Sequence, residues 1–198
     1  MAPVSTRACM MWLVWSMMLL LSSALHGCDA PAQTQIVNGG VTNATIAGKV
    51  FKLEVAADSP TRMRGLGGRK DIAEDGGMVF TFPRSQWGPM AVVMRDCPID
   101  IDIMYLDGAG RVLTTYTMKA QPRKGPEDGM EGDWNTEAIA DPVRKANAEK
   151  YEKSLKQYPS RFSTSFVIEL KLGTIQKLGV KEGDKVQFDI EGLKAAAK

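Results

Sequence analysis

The run MRDCPIDIDIMYLD, Met94 to Asp107, gathers a thiol, a guanidinium and several carboxylates on a few residues. Paired carboxylates such as Asp100 and Asp102 can act as general acid and base, as in glycoside hydrolysis, when they stand about 5–9 Å apart across a cleft. Asp96, Asp100 and Asp102 could also ligate Ca²⁺, although no calcium-loop spacing is present. Cys97 near Arg95 has the makings of an activated thiol. Without a second cysteine or a histidine nearby, such a residue is more often a small buried one.

What this chemistry lacks is as telling. The chain has one histidine, His26, and three cysteines, Cys9, Cys28 and Cys97. The N-terminus has the form of a secretory signal: Arg7, an apolar run from Ala8 to Leu21 broken by Ser16, then small residues and Leu25-His26-Gly27-Cys28. This resembles a lipobox, so residues 1–27 are expected to be a lipoprotein signal peptide and Cys28 the lipidated residue. Cleavage there removes the histidine and leaves Cys97 as the single free thiol. Ser-His-Asp and Cys-His catalysis and histidine-ligated metals are then excluded. No cofactor and no metal is called for. Seven methionines follow Cys28, and core filling accounts for them better than a soft copper site does. A formal net charge of +2 gives nucleic acid no electrostatic invitation.

The elements that would carry these residues are legible from periodicity. Residues 28–45 suit a flexible tether, rich in polar residues, Pro and Gly. KVFKLEVA alternates Phe51, Leu53 and Val55 against Val50, Lys52 and Glu54, the pattern of a strand. Asp58-Ser59-Pro60 opens a short helix through a capping side chain and a first-turn proline. That helix is stopped by Gly65, Gly67 and Gly68, and Arg62, Arg64 and Arg69 make it the most basic element outside the tail. GGMVFTFP, WGPMAVVMR and the Ile99–Leu106 stretch suggest further strands, and DGAG a tight loop into RVLTTYTMKA, giving a β-meander. On this reading Ile99, Ile101, Ile103 and Tyr105 face the core, while Asp100, Asp102 and Met104 face the other way.

Residues 120–136 are turn formers and charges. A helical insertion is expected around 137–157, with Val143, Ala146, Tyr151 and Leu155 on one side. SFVIELKL is a strand, TIQKL a short helix, and KVQFDI a closing strand after a Gly-Asp turn. Residues 193–198 are expected to be a solvated tail. The fold class that follows is mainly β (α+β): one β-rich domain over 46–192, a small antiparallel barrel-like or sandwich sheet with short helices.

With these residues in place, the chain resembles the prokaryotic family called domain of unknown function 192, over about Phe51 to Ile190. The resemblance rests on Arg62, Gly65, Leu66 and Arg69; on Gly77 and Met78; on Met94 to Cys97; on Asp100, Ile101 and Asp102; and on Gly179, Gly183 and Asp184. It implies the fold and no established activity. Three positions depart from the family pattern: Asp96 replaces an amide, Cys97 a hydroxyl residue and Asp100 a proline.

Two readings of the polar residues follow. In the structural one, arginines from the short helix and Arg95 pair with Asp100 and Asp102, fastening helix to sheet. In the functional one, Arg62, Arg64, Arg69, Met94, Arg95, Asp96, Cys97, Asp100 and Asp102 form a ligand-binding patch. The expected protein is an exported envelope lipoprotein, lipid-anchored to the membrane. It binds a small envelope ligand or a protein partner without catalysis. The alternative is a histidine-free hydrolase or lyase working through Asp100 and Asp102.

Overall fold

The computed structural model describes residues 35–121 and 140–198. Residues 1–27, expected to be a signal peptide, Cys28 and most of the 120–136 segment lie outside the described residues. Among those described, no helix is long and apolar enough to cross a membrane.

The chain forms β1 (Val41–Ile46), β2 (Lys49–Ala56), α1 (Ser59–Arg64), β3 (Gly76–Thr81), β4 (Ala91–Val92), β5 (Ile101–Leu106), β6 (Val112–Met118), α2 (Pro142–Ser154), β7 (Tyr158–Pro159), β8 (Phe166–Lys171), α3 (Thr174–Leu178), β9 (Gln187–Phe188) and α4 (Ile190–Ala196). Seven strands make one curled sheet in the order β6-β5-β8-β3-β2-β1-β9, and β4 and β7 pair as a separate ribbon. The architecture is an α+β half-barrel. Its pairings are antiparallel except β2 with β3, which run parallel because α1 lies in the crossover between them.

The curl brings the two edges together. Gly183–Val186 bonds to the start of β6, through Gly183 N–H to Val112 O at 2.8 Å and Val186 N–H to Gly110 O at 2.9 Å. The next residues, β9, pair with β1 on the opposite edge. One segment therefore ties both edge strands and leaves little open ladder.

Both faces of the central strands are covered. Along β5, Ile101, Ile103 and Tyr105 enter one apolar cluster with Met78, Phe80 and Val167. Met104 and Leu106 enter the other with Phe51, Leu53, Phe166 and Ile168. Strands buried on two faces lose the polar alternation of a half-exposed strand, which is why GGMVFT and FVIELK are nearly continuous apolar runs. At Gly77 the backbone approach is so close that a Cβ would stand 2.4 Å from the Glu169 carbonyl oxygen and 3.0 Å from Leu53.

Several expectations are corrected here. The tether ends earlier than residue 45, because Val41 already begins β1, held by its ladder to β2. The consecutive meander does not form: β8, from the far end of the chain, sits between β5 and β3. The tail is helix α4, capped by Asp189, whose Oδ1 accepts from Gly192 N–H at 2.9 Å; its Leu193 is 0% exposed. In α2, Val143 is 69% exposed and Ala146 is exposed too. The helix instead buries Ala148 and Tyr151, with Leu155 just beyond its end.

Candidate functional site

The basic helix α1 forms as its sequence dictates. Asp58 accepts from Thr61 N–H at 2.9 Å, Pro60 fills the first turn, and Gly65 ends the helix at φ 50°. Arg62 turns inward rather than toward an aspartate of β5. Its Nη1 donates to the carbonyls of Ala57 at 2.7 Å and Thr81 at 3.0 Å, and its Nη2 to that of Lys198 at 2.8 Å. Its guanidinium also lies 5.1 Å from the centre of the Phe82 ring. Arg62 thus pins the helix to the ends of β2, β3 and α4, and burial draws its pKa down.

The expected Arg–Asp network is absent. Arg69 pairs bidentately with Glu54 of β2, both contacts at 2.5 Å. Arg95 pairs bidentately with Glu152 of α2, both at 2.6 Å. Asp100 accepts from Lys119 Nζ at 2.7 Å and Ala120 N–H at 2.8 Å, which together hold its pKa below the ordinary carboxylate range. Asp102 is 1% exposed and accepts from Thr117 Oγ1 and from Ile175 N–H, each at 2.9 Å. Its carboxylate fastens the first turn of α3 to the sheet, a role the sequence reading had given to arginine. Both oxygens of each aspartate accept a hydrogen bond, and neither residue lines the cavity described below.

Asp96 sits at φ 51°, its N–H donating to Tyr151 Oη at 2.6 Å and its carbonyl accepting from Gly68 N–H at 2.8 Å. That strained turn joins the loop after α1 to helix α2. Among the described residues, no group of three or more His, Cys, Asp or Glu could hold a metal ion.

A cavity of about 550 Å³ lies between α1, β3 and the Met90–Cys97 segment. Its walls are mostly apolar, from Met63, Leu66, Phe80, Phe82, Met90, Val92, Met94 and Ile101. The Met90–Cys97 wall is held in place by the β4–β7 ribbon and by Tyr105, whose hydroxyl accepts from Val92 N–H at 3.2 Å and donates to the Tyr158 carbonyl. Gly65 also lines the cavity, and a Cβ there would make ordinary contact with the Phe80 ring at 3.4 Å.

Of the sequence-derived candidates, Arg62, Arg64, Met94, Arg95 and Cys97 line this cavity; Arg69, Asp96, Asp100 and Asp102 do not. Burial pushes the Cys97 thiol up, away from the reactive thiolate, and its Sγ donates to the Ile99 carbonyl at 3.4 Å.

The residue that sequence reasoning missed is Glu169. It lies on β8, 4% exposed, and lines the cavity. Among the described residues nothing donates a hydrogen bond to its carboxyl. Burial alone raises its pKa to about 8. The signal was present in FVIELKL, a run in which Glu169 takes the same face as Val167.

Residues 42–138 match the family model DUF192, described as Uncharacterized ACR. This is the family that the chain resembles in its sequence motifs. The match covers β1 through β6, so the pairing of β8 and the Gly-Asp turn with it comes from the structure. No curated protein sequence matches the chain. Among solved structures, a Sinorhizobium meliloti 1021 protein described as a candidate transcription regulator is similar, with a TM-score of 0.54 and 22% identity, over 79% of this chain and 98% of that one. A protein of unknown function from Novosphingobium aromaticivorans DSM 12444 is similar at a TM-score of 0.51 and 25% identity, over 74% and 82%. These likenesses carry the fold.

Proposed function

We propose that this domain is a non-catalytic binding module that holds a small, largely apolar ligand in the cavity beneath α1. One observation carries the reading: a cavity of about 550 Å³ with apolar walls and a single carboxyl, Glu169, that has no hydrogen-bond partner among the described residues. Ligand sites are commonly about 300–1,000 Å³, apolar, with a few placed polar groups. Leaving a carboxyl unpaired in such a wall costs free energy that a bound ligand can offset.

The ligand is one of the cell envelope. The signal-like N-terminus and the lipobox-like Leu25–Cys28 support export and a lipid anchor on Cys28. Metabolic labelling with a radioactive fatty acid tests the anchor: label should enter the wild type and be lost in Cys28→Ser.

Binding is tested by native mass spectrometry of the purified chain after incubation with envelope extract. A discrete added mass should appear on the wild type and be absent from Ala91→Trp, which fills the cavity from its exposed rim. A bare mass for both proteins would remove the ligand-binding reading.

A further inference from the structure

Glu169 has an apolar setting on every side that the sheet provides. Met78 and Ile103 are its cross-strand partners, and Val167 is its neighbour on the same face. The titratable groups nearby are Cys97 and Tyr105, both uncharged near neutral pH, with Arg62, Arg64 and Arg95 on the cavity wall. None of them donates a hydrogen bond to Glu169. A polar side chain this deeply buried is ordinarily satisfied.

The arginines are not equivalent. Arg95 is neutralised by Glu152. Arg62 is committed to backbone carbonyls and is partly offset by Asp58. Arg64 is exposed and makes no ion pair among the described residues. The cavity therefore has an open cation at its rim, apolar walls, and at its inner end a carboxyl with no hydrogen-bond partner among the described residues.

Resting on the binding reading above, we infer that the ligand is an amphipathic organic anion. Its charged head meets Arg64, its apolar body lies along Leu66, Phe80, Met90 and Val92, and an uncharged oxygen at the buried end bonds to Glu169. Polarity decides between the alternatives. A cation would have to pass Arg64, which has no ion pair among the described residues, and a second anion at the buried end would face Glu169 across a wall of low dielectric. An alcohol or carbonyl oxygen accepts the O–H that burial keeps on Glu169 at neutral pH.

The test is calorimetric titration of the purified chain with three probes of equal apolar length: decanoate, ω-hydroxydecanoate and decylammonium, each below its micelle concentration. ω-Hydroxydecanoate should bind about fivefold tighter than decanoate, the increment of one buried hydrogen bond. Glu169→Gln, which keeps an N–H donor, should retain that advantage, and Glu169→Leu should abolish it while leaving decanoate binding in place. Arg64→Glu should weaken both anions by about fivefold or more and leave their ratio unchanged. Tightest binding by decylammonium, or a hydroxyl advantage that survives Glu169→Leu, would overturn the inference. Failure of all three probes, with an envelope mass still captured, overturns the ligand class and leaves the cavity reading standing. Loss of the captured mass as well overturns both.

Discussion

The buried Glu169 should make the stability of the protein fall as pH rises. Its pKa is about 8 in the folded chain, against an ordinary value of 4.5. Between those values the folded state holds a proton that the unfolded state has released. The contribution of Glu169 to stability is therefore full below about pH 4.5, declines from there to about pH 8, and is flat above. Each pH unit in the window is worth at most about 1.4 kcal/mol, so the whole interval amounts to a few kcal/mol and no more than about 5. At 4% exposure the group has little solvent screening to reduce this, although water entering the cavity would. Glu169→Gln removes the ionisation while keeping the shape. Urea denaturation of both proteins from about pH 5 to about pH 9 isolates the effect, because every other titrating group is shared and cancels in the difference. The variant should gain on the wild type by several kcal/mol across that range. Parallel curves for the two proteins would refute the claim that Glu169 is buried without a partner.

Other substitutions report on the scaffold. Asp102→Ala should cost about 2–4 kcal/mol by leaving the Thr117 hydroxyl and Ile175 N–H unpaired, while ligand capture persists in the fraction that folds; thermal unfolding and native mass spectrometry read the two parts. Gly77→Ala should cost about 3 kcal/mol or more, because its Cβ would collide with backbone that cannot give way, and a lowered urea midpoint is the measure. Leu193→Ala should cost about 2–5 kcal/mol, measured the same way; a neutral result would return residues 193–198 to the status of a tail.

How far the sequence was legible depended on the range of the interaction. Local patterns gave β2, the α1 cap and the β5–β6 hairpin, since alternation, Asp58 and the Asp107–Gly110 loop act over a few residues. The insertion of β8 between β5 and β3 pairs residues 60–70 apart in sequence with β5 and 85–93 apart with β3, which no local pattern encodes.

Charges were equally ambiguous. Arg62, Arg69 and Arg95 were read as partners for Asp100 and Asp102, yet Glu54, Glu152 and backbone carbonyls lie closer once the chain folds. Asp102 was read as facing away from the core and toward arginine, yet it is buried and its partners are a hydroxyl and a helix N–H. Glu169 went unnoticed because a single carboxyl in an apolar run carries no spacing signal. Its meaning comes from the cavity it faces.

The methionines offer the most direct test that the cavity is where the ligand binds. Met63, Met90 and Met94 line it, whereas Met104 packs in the opposite core cluster. With isotope-labelled methionine methyls, NMR spectra can be compared before and after adding the small-molecule fraction of envelope extract. The Met63, Met90 and Met94 signals should move together and saturate, with Met104 unchanged. Saturable shifts that leave those three methyls in place and fall elsewhere would contradict the account.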